Sequence, residues 1–517
     1  AIMIGIALVA AALSTVVNAW GDQTINWKNT TGTSSETFPT DVGVLGDTAT
    51  GQSPFNAQYD RFSSDKVELV YAIDMRHKPK NANRDQASTD DIYKNLGTYT
   101  PWRPADGLFP ETEAHRMVPE HCEVKQVHIL HRNGATYPED APNEGLPKLM
   151  KKLVKGIHDN KIHPKNELSF LYNWDYKLGQ ALLVHQGAQE LFDSGVKHYY
   201  DYAKLLTDHK KPVVRTTSHS SMLDSARYWT LGFFGWDAPD KVNLEVLLDA
   251  DRQNNTLEPS KACQNAYKHT KGDDLVNEWQ NIYLQDARNR LQSSLDGYSL
   301  SVSDVSQFMS LCAYETVGFG FSNFCHLFTK EEWEGFQYQS DLQQQGNEGF
   351  MSPTAKARGL GWVQEFLRRV TKKPFKGPVA SKNMTIDNNE TYFPLNQPVY
   401  ADFTRDSVIT NILTAFGFTQ FAKPLKGNKL DSSRTFRSNK VVPFASRIVF
   451  EILDCHKGKD KGEYVRVKVN DAVLPLGHDQ GCKESKDGLC QLHDFVQHVE
   501  SCVDTYDFDG ACCNNKA

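Results

Sequence analysis

The 517-residue chain lacks several features that would have assigned it to a class at once. It contains no Cys-x-x-Cys pair and no His-rich ligand set, so nothing in it indicates a zinc site. It has no Gly-x-Gly-x-x-Gly loop and no internal repeat. A formal net charge of -7 excludes a general affinity for nucleic acid. We therefore expect no metal, no cofactor and no nucleic-acid partner, and no pattern specifies an oligomeric state.

Long apolar runs are also scarce, and only one approaches the length of a membrane span. Residues 2–17 are almost free of polar side chains, and Val17-Asn18-Ala19 fits a small-x-small cleavage site before Trp20. The run is shorter than the roughly 20 residues that a span requires. We predict a signal peptide over residues 1–19, secretion or a place in the secretory lumen or at the cell surface, and no other membrane contact. A retained anchor is the alternative.

Cysteine is plentiful by comparison, and it supports the same location. Ten cysteines follow the apolar run, which predicts disulfide bonds formed in an oxidising compartment. N-glycosylation sequons begin at four asparagines, Asn29, Asn254, Asn383 and Asn389. The sequence therefore predicts a secreted glycoprotein.

Hydrophobic periodicity divides the chain into an arm, strands and helices. Residues 20–90 are rich in Thr, Ser, Gly and Asp, which predicts a poorly ordered N-terminal arm. Short apolar runs at 124–130 and 399–403 are each followed by a polar loop and a helical pattern, as in parallel strands of an α/β sheet. Residues 239–370 show helical spacing and little strand signal. A hairpin is predicted near the C-terminus.

The motif with the clearest chemical meaning follows the first of these strands. Leu130 to Pro138 reads Leu-His-Arg-Asn-Gly-Ala-Thr-Tyr-Pro, at a place where anions bind in open α/β folds. It resembles the Arg-His-Gly-x-Arg-x-Pro signature of the histidine acid phosphatases, the family that includes fungal phytases. Segments 214–217, 224–234 and 400–406 resemble further motifs of that family in the same order. The resemblance extends from about residue 90 to the C-terminus.

The resemblance implies a fold and a disulfide pattern. The fold would be α/β, with a mostly parallel central sheet and flanking helices formed by residues 91–238 and 371–517. Residues 239–370 would form an inserted helical cap. The cysteine pairs implied are Cys122–Cys455, Cys312–Cys325, Cys482–Cys490, Cys263 with one member of Cys512 and Cys513, and Cys502 with the other.

The resemblance also implies a site in which half of the functional groups are replaced. In the family a His attacks phosphorus, arginines bind the phosphate, a second His assists and an Asp protonates the leaving oxygen. Here Asn133 stands at the nucleophile, Thr136 at the second Arg and Arg405 at the second His. An amide nitrogen is delocalised into its carbonyl and cannot form a phosphoenzyme at a useful rate.

Three functional positions keep the family residue, namely Arg132, Arg215 and Asp406. With Arg405 they would form a cationic pocket, and we interpret the chain as a pseudophosphatase that binds an anionic or small-molecule ligand. One alternative is repurposed chemistry, such as cyclisation, isomerisation or hydrolysis of a small metabolite, with His219 as the best new base; an aromatic-lined pocket would favour it. Others are a weak acid phosphatase or phytase, or a salt-bridged remnant of the old site.

Overall fold

The first described element is a short helix close to the predicted end of the N-terminal arm. The computed structural model describes residues 87–207, 210–250, 253–268, 270–456 and 461–513. The predicted signal peptide, almost all of the arm and the sequon at Asn29 lie outside these ranges. Helix α1 spans Thr89–Tyr93, and the Ser88 hydroxyl caps it by accepting from the Asp91 backbone N–H. Helix α1 thus lies across the predicted boundary at residue 91.

Ten strands occur in the described residues, and eight of them form one sheet. In chain order the strands are β1 Cys122–Arg132, β2 His163–Pro164, β3 Val213–Thr217, β4 Asn243–Leu247, β5 Leu295–Asp296, β6 Val399–Thr404, β7 Arg447–Cys455, β8 Gly462–Val469, β9 Ala472–Val473 and β10 Cys490–Gln491. Strands β2 and β5 pair with each other outside the main sheet.

The α-helices after α1 flank this sheet or pack beside it. In chain order they are α2 Gly145–His158, α3 His185–Tyr202, α4 Ser220–Phe234, α5 Ala238–Lys241, α6 Lys271–Tyr283, α7 Gln285–Gln292, α8 Val302–Phe319, α9 Lys330–Asn347, α10 Ala355–Thr371, α11 Met384–Asp387, α12 Asp406–Ala415, α13 Ser438–Val441, α14 Leu492–Asp504 and α15 Phe508–Cys512.

The strand order of the main sheet is β10-β8-β7-β1-β6-β3-β4, with β9 paired to β8. Strands β1, β6, β3 and β4 are parallel neighbours, whereas β7 runs antiparallel to both β1 and β8. The predicted α/β fold is confirmed, as is the C-terminal hairpin, β7–β8. The parallel strands deliver their C-terminal ends to one edge of the sheet, and the signature loop follows β1 there.

Both faces of the sheet are covered by helices because side chains of a strand alternate between faces. Val127 and Ile129 of β1 pack in a core cluster with Trp229 and Phe233 of α4. Leu130 belongs to the cluster on the other face, which is contributed by α10, α12 and α14. The result is a three-layer arrangement of helices, sheet and helices.

The segment 239–370 is mostly helical, as its periodicity indicates, but it is not only helical. It contains β4, which pairs in parallel with β3 in the main sheet. Its helix α10 packs directly on α12 beside the sheet. Conversely, α2 joins α7 and α8 in a shared hydrophobic cluster, although α2 precedes the segment.

Four of the implied disulfide bonds are confirmed. They are Cys122–Cys455, Cys263–Cys512, Cys312–Cys325 and Cys482–Cys490. The fifth is wrong, since Cys502 and Cys513 both carry free thiols. Cys263 pairs with Cys512, the last residue of α15, and Cys513 is the residue that caps this helix.

A buried ion cluster joins β3, β6 and α10. The Asp402 carboxylate accepts hydrogen bonds from Arg215 Nε at 2.8 Å, from Arg369 Nη1 at 2.7 Å and from the Trp362 indole N–H at 2.8 Å. A second carboxylate, that of Glu365, accepts from Arg215 Nη2 at 2.6 Å. A buried charge is tolerated only when it is paired and hydrogen-bonded in this way.

Glu245 lies opposite Arg215 on β4, and its carboxyl group differs from those of the cluster. It is fully buried, and neither of its oxygens has a hydrogen-bond partner. Burial raises the pKa of Glu245 to about 8, against the opposing attraction of Arg215. Because the folded-state pKa lies above the unfolded value, the folded state binds the proton more tightly between about pH 4.5 and 8.

We therefore expect Glu245 to make the protein less stable as the pH rises through that window. Replacing Glu245→Gln should remove up to about 4 kcal/mol of the pH-dependent loss between pH 5 and 8. Chemical denaturation of the wild type and the variant across this range measures the difference. If the free energy of unfolding changed equally with pH in the two proteins, Glu245 would not titrate between pH 5 and 8.

Candidate active site

The signature loop after β1 is packed tightly against α3 and α4. A Cβ atom on Gly134 would lie 2.3 Å from the carbonyl oxygen of Gly187, so only glycine allows this approach of loop and helix. The backbone N–H of Gly134 donates to Ser225 Oγ at 3.2 Å, and that of Ala135 donates to Glu190 at 3.0 Å. The loop is therefore fixed by hydrogen bonds that its backbone N–H groups donate to side chains of α4 and α3.

Asn133 occupies the position after Arg132 and is almost completely buried. Its side-chain amide donates to the carbonyl oxygen of Gly134 at 2.8 Å, and its backbone oxygen accepts from Ala445 at 2.8 Å. Thr136 is also buried and forms an isolated β-bridge with Leu183. Both replacement residues therefore serve the local backbone structure of the loop.

The imidazoles of His128 and His131 on β1 are buried and held by neighbouring groups. His131 Nδ1 donates to the carbonyl of Arg132 at 2.7 Å, and Nε2 accepts from Ser194 Oγ at 2.7 Å. Burial lowers the pKa of His131 to about 3, so the ring is neutral. His128 stacks on Tyr400 with 4.7 Å between ring centroids, and burial lowers its pKa as well.

Arg132 and Asp406 are brought together, as the sequence predicts. Arg132 Nη2 lies 3.4 Å from Asp406 Oδ2, and its Nη1 donates to the carbonyl oxygens of Thr98 and Val442. The guanidinium carbon also sits 4.6 Å from the centre of the Phe444 ring. Arg132 is thus buried and held by the chain itself. Asp406 begins α12, where the helix dipole favours a carboxylate.

The prediction that Arg215 joins this pocket is wrong. Arg215 lies within β3, and its guanidinium is held by Asp402 and Glu365 in the ion cluster described above. In a parallel sheet, the residues that reach a site are those that follow the C-terminal end of a strand. After β3, the residue in this position is His219. Arg215 instead pairs sideways with Asp402, its neighbour on β6 in the sheet register.

Arg405 faces a cavity of about 390 Å³ at the C-terminal edge of the parallel strands. The cavity is lined by residues that follow β1, β3, β4 and β6, and by six residues of the segment 239–370. The lining residues are Glu139, Gln180, Ala181, His219, Asp249, Glu258, Ser260, Lys261, Tyr267, Glu348, Arg405 and Ser407. Neither Arg132 nor Arg215 is among them.

The predicted cationic character of this pocket is also wrong. Arg405 lies 2.9 Å from Glu258, 3.4 Å from Glu139 and 3.8 Å from Asp249, so three carboxylates surround its single charge. Burial alone would raise the pKa of Glu139, but the His219 hydrogen bond and the Arg405 charge lower it to about 2. Burial raises the pKa of Glu258 despite the charge of Arg405.

His219 lines the cavity and is fixed from both sides of its ring. Its Nδ1 lies 3.0 Å from Ser221 Oγ, and its Nε2 lies 3.2 Å from the Glu139 carboxylate. A carboxylate only accepts, so in the neutral ring Nε2–H donates to Glu139 and Nδ1 accepts from the Ser221 hydroxyl. This arrangement is able to store and move a proton at the cavity wall.

Sequence reasoning missed the carboxylates that decide the charge of the cavity. Glu139 had a recognisable signal, because it directly follows Pro138 of the signature. Asp402 had one as well, since a charge in the apolar strand β6 requires a buried partner. Asp249 and Glu258 lie in an irregular segment after β4, and no pattern in the sequence marks their approach to Arg405.

The comparisons with known proteins agree with this architecture. Residues 123–470 match the histidine phosphatase superfamily (branch 2), and the chain belongs to this family.

Its relatives include phytase A of Aspergillus oryzae, which is 32% identical over 78% of this chain and 86% of its own length. Phytase A of Aspergillus fumigatus is 30% identical over the same shares of both chains. The crystal structure of the D. castellii phytase matches 85% of this chain and 93% of its own, with a TM-score of 0.67 and 23% identity.

The surrounding carboxylates make Arg405 a stabilising residue at neutral pH. In Arg405→Met, Glu139, Glu258 and Asp249 would face one another without a guanidinium, and we expect a loss of about 1–3 kcal/mol at pH 7.5. The loss should shrink at pH 4.5, because burial raises the pKa of Glu258, and protonation of this carboxyl group reduces the repulsion. Chemical denaturation at both pH values measures this.

Lys261→Met is the matched control, because it removes one positive charge at 3.8 Å from Asp249, whereas Arg405 lies 2.9 Å from Glu258. Its effect should be clearly smaller. An equal loss at pH 4.5 and 7.5 in Arg405→Met would contradict the electrostatic origin.

Proposed function

We propose that this histidine phosphatase homologue does not transfer phosphoryl groups. We also propose that its cavity binds a small polar molecule that is either neutral or positively charged. The observation that carries the proposal is Asn133, whose amide stands where the resemblance requires a nucleophilic imidazole and donates to Gly134. A carboxamide does not capture phosphorus, and the nearby His131 is neutral and hydrogen-bonded on both nitrogens.

The charge of the cavity supports the second half of the proposal. Among the described residues, its lining carries four carboxylates and, apart from His219, two cationic side chains, Arg405 and Lys261. Like charges disfavour a phosphate, whereas an alcohol, an amide or an amine finds acceptors there. We therefore propose a small-molecule ligand, as the sequence suggested, but one that is not anionic.

The place of action that we propose is outside the cytoplasm. Four disulfide bonds support an oxidising compartment. The sequon asparagines Asn254 and Asn389 are exposed, as glycosylation requires. Among the described residues no helix is long and apolar enough to cross a membrane.

The decisive test of lost phosphoryl transfer is the search for a phosphoenzyme. After mixing with p-nitrophenyl phosphate at pH 4–6 and quenching in alkaline denaturant, in which a phosphohistidine is stable, mass spectrometry should find no phosphorylated peptide in the signature loop. Turnover should be about a million-fold below that of phytase A from Aspergillus oryzae measured alongside, as for loss of a nucleophile. A phosphate label mapped to residues 130–138 would overturn the proposal.

A reverted variant serves as the companion of this test. Asn133→His, Thr136→Arg and Arg405→His together should remain nearly inactive, because Glu139 and Glu258 would then face the phosphate without Arg405. Adding Glu139→Gln and Glu258→Gln to the triple variant should raise its phosphatase activity, because the two substitutions remove negative charges that repel phosphate. Activity of the triple variant at the level of the relatives would show that the cavity charge is unimportant.

A second candidate function is acid–base catalysis in the same cavity, and one observation favours it. His219 is oriented by Glu139 and Ser221, as a general base needs to be. The cavity has one aromatic lining residue, Tyr267, so the aromatic lining that would favour this alternative is not found among its lining residues.

Binding and catalysis are separated by a ligand screen followed by one substitution. A thermal-shift panel of amines, polyols and carboxylic acids should give its largest shifts with amines and polyols. If a hit is also converted, His219→Gln should lower kcat by about 10²–10⁴-fold with little change in KM. A hit that binds without conversion supports the binding function alone, and shifts confined to acids would contradict the proposed ligand class.

A further inference from the structure

A second cleft lies at the end of the sheet opposite the signature loop. Its volume is about 560 Å³, and its walls come from the beginnings of the parallel strands. Lys125 lies in the first half of β1, Pro212 precedes β3 and Pro398 precedes β6. Because the signature residues follow the opposite ends of these strands, the cleft is distinct from the cavity of Arg405.

The charge of this cleft opposes that of the whole chain. Of the described residues, four lysines line it, namely Lys125, Lys210, Lys211 and Lys372, against one carboxylate, that of Glu390. The chain as a whole has a net charge of -7, so such a local excess of positive charge is unusual for its surface. Concave walls of low dielectric strengthen the field of like charges that line them.

Two of these lysines are available to a ligand. Lys125 is paired with Asp454, and Lys211 Nζ donates to the carbonyl oxygen of Pro239 at 3.2 Å. The ammonium groups of Lys210 and Lys372 form no hydrogen bond or ion pair with other described residues. Their ammonium groups therefore stay hydrated until an anion displaces that water.

The floor of the cleft is built from rigid backbone. The Gln397 carboxamide accepts from the N–H of Val213 at 2.9 Å and donates to the carbonyls of Val213 and Val399 at 2.9 and 2.8 Å. The carbonyl of Pro394 accepts from the Tyr400 hydroxyl at 2.9 Å. A fixed floor lowers the entropy cost of binding, because little of the site has to be ordered.

We propose that this cleft binds a small molecule that carries two or more phosphate or sulfate groups. Its volume is that of small-molecule sites, and lysines are common phosphate ligands. One anionic group would lie between Lys210 and Lys372, and a second would reach Lys125 or Lys211. This site is independent of the function proposed for the cavity of Arg405.

The test uses the full chain with pyrophosphate and inositol hexasulfate as probes, in calorimetric titrations at low and at physiological salt. The wild type should bind at least one probe, and binding should weaken as salt rises, because exposed charges are screened. Binding of both probes supports recognition of the shared charge, and binding of one identifies phosphate or sulfate as the preferred group. No binding of either probe at millimolar concentration would overturn the proposal.

Two substitutions locate the site. Lys210→Gln combined with Lys372→Gln should weaken binding at least about tenfold, because two ligand-facing charges are lost. Lys426→Gln with Lys429→Gln is the matched control, since it changes the net charge equally at lysines outside the cleft lining, and it should leave binding nearly unchanged.

Removal of the carboxylate of Glu390, the one found among the described lining residues, should change the affinity for the probes in the opposite direction. Glu390→Gln should strengthen binding about two- to fivefold, which no general loss of structure would produce. Equal affinities of the wild type, the Lys210/Lys372 double variant and Glu390→Gln would place the probes elsewhere and refute the assignment.

Discussion

The buried carboxylate of Asp402 is the constraint on which both ends of the sheet depend. It joins β6 to Arg215 of β3 and to Arg369 of α10, and it also accepts from the Trp362 indole. A charge in this position is stable only with all of these partners. Their geometry fixes the spacing of β3, β6 and α10, and thereby the places of the loops that follow or precede these strands.

The three arginines of the predicted site are neutralised by other groups of the chain. Arg132 contacts backbone carbonyls and Asp406, Arg215 belongs to the ion cluster, and Arg405 contacts carboxylates of the cavity. At the opposite edge of the sheet, Lys210 and Lys372 line the second cleft.

Much of the fold was predictable because it depends on local patterns. The apolar run of β1, the run of β6 and the helical spacing of the flanking segments each reflect burial that the periodicity records. The resemblance supplied four disulfide pairs. The implied pairing of Cys502 with Cys513 was wrong, because the direction of a side chain at the end of a helix depends on how its neighbours pack. Strand β4 was missed because its short alternating pattern lies within a mostly helical stretch.

The class of fold follows from the order of apolar strand and helix patterns along the chain, and the presence of Asn133 in the signature loop is read from the sequence directly. The roles of the arginines follow only from the tertiary structure. Whether Arg215 faces a pocket or Asp402, and whether Arg405 is free or surrounded by Glu139 and Glu258, depends on contacts between residues more than a hundred positions apart. Coulomb interactions act over distance in space, which the order of residues does not record.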